Sequence, residues 1–306
     1  MTSLGAKITR AILRGYTYSY RKSHKSLSRT IKFKNKQYIV PKGCKFEVKE
    51  VCGTNIEILS PNEPNGNYAI AQFHGGGHTQ AMNGMYRKVA ERLCKISGCT
   101  VYSIDYKAGS ELVYPSVHNE CYFAYVGLLD GLLKDKRIIA IGDSFGANLM
   151  LSTCLKLRDT NMPLPCALIS ISCYIDLAST GNSYKKNCYR DPLYALPKNQ
   201  KFEDNEKYVR RISPYCGITS YYDELLSPAY AEYHGFPNML IQCGDLETSE
   251  SDSDMLFEKA HNACVNAKLT KYHGMWHDFQ YMTPFLKESR LAWKEINSFI
   301  ISSINR

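Results

Sequence analysis

Short apolar runs alternate with longer amphipathic segments along most of the chain. The runs predict eight strands, at residues 44–52, 55–59, 68–73, 99–106, 137–141, 167–172, 238–243 and 267–272. From the third strand onward they alternate with helical patterns, the clearest being residues 81–95, 115–133, 252–263 and 281–304. This alternation is typical of an α/β fold with a mostly parallel central sheet and helices on both faces. The two adjacent first strands predict an antiparallel start.

Two segments stand outside this alternation. Residues 1–40 have a helical portion followed by two basic runs, at 21–25 and 32–36. Residues 180–222 are polar and rich in tyrosine. A chain of 306 residues is otherwise well suited to one large α/β domain.

A serine lies in a turn between a predicted strand and a predicted helix. The sequence Gly142-Asp143-Ser144-Phe145-Gly146 follows the run at 137–141 and precedes a helical stretch at 147–152. Glycines on either side allow the sharp turn that exposes a serine hydroxyl at a helix N-terminus. The context therefore favours Ser144 as a nucleophile over an ordinary strand-to-helix turn.

A glycine-rich loop precedes this serine by about seventy residues. It reads His74-Gly75-Gly76-Gly77 and follows the buried run at 68–73. Residues without a Cβ let backbone N–H groups approach a substrate carbonyl closely. Three glycines alone would suggest only a flexible loop, but together with Ser144 they indicate an oxyanion-binding loop.

These motifs resemble those of the hormone-sensitive-lipase-like group of α/β-hydrolase esterases. The matching segments are residues 74–77, Asp105-Tyr106 with Glu111 and Tyr114-Pro115, residues 142–146, Asp176-Leu177, Ser227-Pro228 with Tyr230, and residues 274–279. The resemblance implies an α/β-hydrolase core at 41–179 and 223–306. It also implies a helical cap made of residues 1–40 and the insertion 180–222, which would control access to the site. The alternative is a solvated basic arm and an ordinary surface insertion.

The general base should follow the last predicted strand, where His273 and His277 both occur. His277 follows a Gly-Met-Trp turn and precedes a helix, which predicts a loop tip beyond a strand. The G-M-x-H motif of the resembling family also falls on His277. It is therefore the predicted base, and His273 is interpreted as a strand-end residue. His74 is expected to support the oxyanion loop, and the remaining histidines, including His24, His118, His234 and His261, are interpreted as surface residues.

The acid should follow the strand at 238–243, and the candidates are Asp245, Glu247, Glu250 and Asp252. In the resembling family the acid comes three residues after a strand-end glycine, which leads from Gly244 to Glu247. The family's more usual Asp-Pro-Leu is absent, so Asp245 and Asp252 remain alternatives. Asp252 is expected to hold the loop or cap the next helix.

Together the residues predict a serine carboxylesterase that hydrolyses small or medium acyl esters through an acyl-enzyme. Ser144, His277 and Glu247 would form the triad, and the N–H groups of Gly76, Gly77 and Phe145 the oxyanion hole. His74, Gly75 and Asp143 would support it. Two alternatives stay open: an amidase or deacetylase with the same triad, and a non-catalytic small-molecule receptor of the same fold.

The composition and charge of the chain limit the classes of partner that it is expected to bind. The net charge of +9 is concentrated near the N-terminus, where a basic face could attract anionic membranes but is more often merely solvated. No nucleic-acid module, membrane span or signal peptide is recognisable, so we expect a cytoplasmic protein that binds a small ester. The 12 cysteines have no C-x-x-C pair and predict reduced thiols, with no metal or cofactor. Homodimerisation stays open.

Overall fold

The strands described in the computed structural model form one eight-stranded sheet. In chain order they are β1 (Cys44–Val51), β2 (Thr54–Pro61), β3 (Tyr68–Phe73), β4 (Thr100–Asp105), β5 (Arg137–Asp143), β6 (Ala167–Ile171), β7 (Asn238–Gly244) and β8 (Ala267–Tyr272). Their order in the sheet is β1-β2-β4-β3-β5-β6-β7-β8. β2 pairs antiparallel with β1 and β4, and the remaining pairs are parallel. The predicted strands and the antiparallel start are confirmed.

The helices follow the predicted alternation with one correction. They are α1 (Leu4–Lys22), α2 (Gly84–Ser97), α3 (Ser116–Asp130), α4 (Phe145–Asp159), α5 (Asn182–Lys186), α6 (Glu250–Asn262), α7 (Phe279–Met282) and α8 (Lys287–Ile304). The prediction of one helix over 281–304 is wrong, because the chain leaves helical geometry between α7 and α8. Pro284 lies in this break, and its missing N–H and its ring disfavour an uninterrupted helix.

The structure describes residues 2–22, 38–196, 202 and 214–305. The basic runs predicted at 21–25 and 32–36 therefore lie almost entirely outside the described residues. The middle of the predicted insertion at 180–222 also lies outside them.

Apolar side chains cover both faces of the sheet. Strand β5 shows the principle: Ile138 and Ala140 join the core beneath α3, α4 and α6, whereas Ile139 and Ile141 join the core beneath α2 and α8. Successive side chains of a strand point to opposite faces, so a strand buried on both sides is apolar at nearly every position. This burial explains why the continuous apolar runs became strands.

The N-terminal helix α1 packs on the body of the protein. Ala6 is fully buried in a cluster with Leu193 and Trp276. The Thr17 hydroxyl donates a hydrogen bond to the Pro192 carbonyl at 2.6 Å. α1 thus contacts both the beginning of the 180–222 segment and the loop that follows β8.

Close backbone approach requires a glycine at the start of α4. A Cβ on Gly146 would lie 2.2 Å from the Phe73 carbonyl oxygen, at the end of β3. The chain can therefore turn from β5 into α4 against the end of β3 only if this residue has no side chain. By contrast, a Cβ on Gly84, at the start of α2, would meet nothing within 4 Å.

We expect Gly146→Ala to lower the free energy of unfolding by about 1–3 kcal/mol, because the new methyl group must displace backbone atoms. Gly84→Ala is the matched control and should change stability by less than about 1 kcal/mol, in the stabilising direction if at all. Urea unfolding followed by circular dichroism measures both. Equal stabilities for the two variants would contradict the packing described for Gly146.

Candidate active site

Ser144 occupies the turn between β5 and α4. Its backbone has φ 51° and ψ −123°, a conformation that is strained for a residue with a side chain. The neighbouring strand end holds this turn: the Ser144 N–H donates to the Ile171 carbonyl at 2.9 Å, and the Ser144 carbonyl accepts from the Tyr174 N–H at 3.2 Å. The side chain therefore lies at the N-terminus of α4, where the helix dipole stabilises negative charge.

The glycine loop after β3 docks directly on this turn. The Gly75 N–H donates to the Asp143 carboxylate at 3.2 Å. A Cβ on Gly75 would lie 2.2 Å from that carboxylate, and one on Gly76 would lie 2.7 Å from Gln80 Cβ. Gly76 and Gly77 both have positive φ, at 104° and 58°. Gly75 and Gly76 leave no room for a Cβ, so the bare backbone of this loop can approach a bound carbonyl.

His74 contacts both the glycine loop and the Tyr106 ring. Its ring stacks on Tyr106 with centroids 4.0 Å apart, and its Nδ1 lies 2.8 Å from the Gly75 carbonyl oxygen. The Tyr106 hydroxyl donates to the His74 carbonyl at 2.8 Å. Burial lowers the pKa of His74 to about 4, so the imidazole is neutral and its Nδ1–H donates to Gly75. These contacts hold the loop and leave His74 in no position to exchange protons with solvent.

Glu247 is the candidate acid that contacts the candidate base. Its Oε2 lies 3.2 Å from His277 Nδ1, and both side chains are buried. The other carboxylate oxygen, Oε1, accepts hydrogen bonds from the Ser172 hydroxyl at 2.8 Å and from the Gly244 N–H. A fully buried carboxyl group needs such donors to satisfy its oxygen atoms.

The two alternative acids have different partners. Asp245 accepts from His273 Nδ1 at 2.7 Å and from the Gly274 N–H at 2.7 Å, so it holds the turn after β8. Asp252 accepts from the Ile175 N–H at 2.8 Å and from the following N–H at 2.9 Å. Asp252 thus holds the loop after β6, and not the loop after β7 that it was expected to hold.

The second imidazole nitrogen of His277 does not reach Ser144. Nε2 is buried and makes no hydrogen bond with any residue in the described ranges. It lies 3.4 Å from Oδ2 of Asp278. The structure therefore brings Glu247 and His277 into contact, but it does not join His277 to Ser144. Catalytic hydrogen bonds of this kind are often long without substrate and tighten when substrate binds.

Buried carboxyl groups surround His277. Burial would lower the pKa of this imidazole, but the carboxylates of Asp278, Glu247 and Asp191 outweigh it and raise the pKa above its ordinary value. Burial raises the pKa of Asp278 to about 7. Burial, with a further contribution from Asp278, also raises the pKa of Asp143. The site thus contains more carboxyl groups than one imidazolium can balance, which favours their protonated forms.

Two polar residues of this site could not be recognised as site residues from the sequence. The Ser172 hydroxyl donates to Glu247 and accepts from the Asp278 N–H at 3.0 Å, and so connects the acid to the histidine loop. Asp191 is fully buried and accepts from the Leu193 N–H at 2.8 Å. Both occur singly, outside any motif, and only the folded chain brings them near His277.

The interpretation of His118 as a surface residue is wrong. It is buried between α3 and α4, with Nδ1 2.9 Å from the Tyr215 hydroxyl and Nε2 2.9 Å from Asn148 Oδ1. The Phe145 ring lies among His118, Tyr215 and His78, with centroids 5.5–5.8 Å away. The ring after the nucleophile is therefore anchored in an aromatic cluster, while its backbone N–H stays at the start of α4.

The described residues provide neither a metal site nor a membrane span. Within residues 2–22, 38–196, 202 and 214–305, no cluster of His, Cys, Asp and Glu has the arrangement of a metal site. No helix in those ranges is both long enough and apolar enough to cross a bilayer. All 12 cysteines are free thiols.

Comparisons with known proteins identify the family of the chain. A family model described as the alpha/beta hydrolase fold matches residues 70–281. An esterase of Acinetobacter venetianus is 30% identical over 240 residues, covering 76% of this chain and 74% of that protein. An acetyl-hydrolase of Streptomyces hygroscopicus is 28% identical over 261 residues, covering 85% and 83%.

A solved structure has the same fold as this chain. The crystal structure of the HSL-homolog EstE7 from a metagenome library superposes with a TM-score of 0.81 at 26% identity, covering 99% of this chain and 100% of that one. The chain therefore belongs to the α/β-hydrolase fold family, in the group of hormone-sensitive-lipase-like esterases, and is a carboxylic ester hydrolase.

Proposed function

We propose that this enzyme is a serine esterase in which Ser144 is the nucleophile, His277 the general base and Glu247 the residue that orients His277. One observation carries the proposal: the end of β6 contacts both halves of the site. The Ile171 carbonyl accepts from the Ser144 N–H, and the next residue, Ser172, donates to Glu247. The strained serine turn and the Glu247–His277 pair are thus both hydrogen-bonded to the end of β6.

The reaction follows from these positions. Ser144 Oγ attacks the ester carbonyl carbon while His277 Nε2 takes the hydroxyl proton. The carbonyl oxygen becomes an oxyanion, and the N–H groups of Gly76, Gly77 and Phe145 donate to it. When the tetrahedral intermediate collapses, the ester C–O bond breaks and His277 returns its proton to the leaving alcohol. Water then repeats the same steps on the acyl-enzyme and releases the acid.

Before the first proton transfer, the imidazole must exchange one contact for another. Nε2 has to turn from Asp278 towards Ser144 while Nδ1 keeps Glu247. Substrate that fills the site would favour this exchange. Asp278 therefore competes with Ser144 for the same nitrogen.

We further propose compact acyl groups as substrates. The aromatic cluster of Phe145, His118 and Tyr215 fills the space next to the nucleophile turn with fixed rings. The relative from Streptomyces hygroscopicus is named an acetyl-hydrolase, which fits a short acyl group. Steric limits of this kind discriminate by about 10–200-fold for each methylene.

Residues 1–40 and 180–222 are proposed to form a cap over the core at 41–179 and 223–306. Contacts between α1 and the insertion support this division, since Thr17 bonds Pro192. Within the insertion, Asp191 influences the charge of His277, and the Tyr194 ring packs edge-on against it with centroids 4.9 Å apart. The cap would then contribute directly to the environment of the base.

A reducing compartment, such as the cytoplasm, is proposed as the location. The 12 cysteines are all free, although several are buried within the core. Buried thiols of this kind persist where disulfide formation is disfavoured.

The nucleophile is tested with p-nitrophenyl acetate, butyrate and octanoate and with the matching p-nitroanilides. We expect wild type to release p-nitrophenol in a burst followed by a slower steady rate, because activated p-nitrophenyl esters acylate the serine faster than water hydrolyses the acyl-enzyme. Ser144→Ala should abolish the burst and reduce turnover by at least about 10³-fold. Faster cleavage of the anilides would indicate an amidase. Binding of these compounds without turnover would indicate a receptor.

The acid is tested by two matched substitutions. Glu247→Gln removes the carboxylate at His277 and should reduce kcat by about 10²–10⁴-fold, because the imidazolium loses its partner. Asp245→Asn removes a carboxylate from His273 and should leave kcat within about twofold. A large loss for Asp245→Asn with a small loss for Glu247→Gln would reverse the assignment of the acid.

Asp278 and Ser144 compete for Nε2 of His277, so we predict that substitution of Asp278 changes the pH dependence of kcat/KM. His277 acts as a base only when deprotonated, so kcat/KM rises as pH increases through its pKa. Asp278 raises that pKa, and Asp278→Asn should therefore move the rising limb to lower pH by about 1–3 units. Asp245→Asn should leave the limb in place. A rising limb unchanged in Asp278→Asn would show that Asp278 does not contact the base in solution.

A further inference from the structure

Helix α1 exposes a row of large apolar side chains. Leu4, Ile8 and Ile12 recur every four residues and are 73%, 52% and 65% exposed. Tyr16, which is 54% exposed, follows one turn later. Residues four apart lie above one another on a helix, so these side chains form one stripe across about a third of its circumference.

The opposite face of α1 is occupied by the protein itself. Ala6 is buried, Leu13 packs in the same cluster, and the Thr17 hydroxyl bonds the Pro192 carbonyl. At the start of the helix, the Ser3 N–H and hydroxyl donate to the Glu288 carboxylate at 2.6 and 2.9 Å. The helix is thus fixed in place by this face, whereas Leu4, Ile8 and Ile12 on the outer face are largely exposed.

The charges on α1 have a single sign. Within Leu4–Lys22 the sequence has five basic residues and no Asp or Glu: Lys7, Arg10, Arg14, Arg21 and Lys22. Lys7 and Arg14 are exposed and project from the helix beside the Leu4 edge of the stripe. At the surface of a bilayer, lipid phosphates lie just above the acyl chains. Basic residues beside an apolar stripe can therefore contact the phosphates while the stripe contacts the acyl chains.

An exposed aromatic residue is next in sequence to a residue that lies against α1. Phe285, 63% exposed, precedes Leu286, whose side chain lies against α1 at Gly5. The stripe is the convex face of a single helix. A partner protein would need a groove that fits the stripe and acidic residues beside that groove. An anionic bilayer needs no such complementary shape to bind a convex apolar ridge bordered by cations.

We propose that α1 is a docking surface for anionic membranes. Leu4, Ile8 and Ile12 insert at the boundary between headgroups and acyl chains, and Lys7 and Arg14 contact lipid phosphates. This binding does not depend on the catalytic assignment of Ser144.

Docking would place the candidate site next to the lipid. The Thr2 hydroxyl donates to the His273 carbonyl at 3.0 Å, and Ala6 packs in the cluster that contains Trp276, which precedes the candidate base. The inner face of α1 thus covers the loop of His277 while its outer face meets the membrane. An ester that partitions into the bilayer would reach the site over a short path.

The test is flotation of the full-length protein with phosphatidylcholine vesicles, with and without phosphatidylserine. We expect binding to the anionic vesicles that weakens as salt is added, because screening reduces the attraction of Lys7 and Arg14. Ile8→Ser should weaken binding about tenfold, and Lys7→Gln about fivefold.

Two substitutions on another exposed helix face are matched controls. Ile301→Ser and Lys294→Gln lie on α8, where Ile301 is 40% exposed, and neither should change vesicle binding. Circular dichroism establishes that each variant is folded. Failure of the wild type to bind anionic vesicles at low salt would overturn the proposal, as would equal binding by Ile8→Ser. A dimer in sedimentation velocity that Ile8→Ser dissociates, without vesicle binding, would assign the stripe to a second copy of the chain instead.

Discussion

A single buried hydroxyl connects the parts of the candidate site. Ser172 donates to the Glu247 carboxylate and accepts from the Asp278 backbone, while the residue before it accepts from the Ser144 N–H. These bonds join the ends of β5, β6 and β7 to the loop after β8. In a water-free environment each one is costly to break, because the freed group has no other partner. The precision of the site therefore depends on the end of β6.

The same enclosure creates an electrostatic conflict. Asp143, Asp191, Glu247 and Asp278 are all buried around one imidazole. Like charges at close range resist ionisation together, so some of these groups remain protonated near neutral pH. Burial raises the pKa of Asp278 to about 7, and its Oδ1 has no hydrogen bond among the described residues. Its Oδ2 faces Nε2 of His277, so Asp278 and Ser144 would compete for this nitrogen in the proposed reaction.

Under the membrane proposal, helix α1 would connect the candidate site to a lipid surface. Its inner face packs beside the loop that carries His277, and its outer face is apolar with a basic margin. A helix that contacts the catalytic loop on one side and a lipid surface on the other would couple the position of the enzyme to access of its substrate. The relatives of similar length share the fold at about 30% identity or less, so this surface need not be common to them.

The sequence by itself determined the eight strands, the serine turn and the glycine loop. These features are local: apolar runs are buried on both faces, and glycines are required where backbones touch, as Gly146 touches Phe73. Reasoning from the sequence also gave Glu247 precedence among the acids, although contact with His277 could be seen only in the fold. Tertiary structure alone decided the burial of His118, the roles of Ser172 and Asp191, and the contact of Asp278 with Nε2. Ser172 and Glu247 are 75 residues apart, and the order of strands in the sheet brings them together. Local patterns specify how a segment folds, but a hydrogen bond between distant segments depends on which strand ends become neighbours.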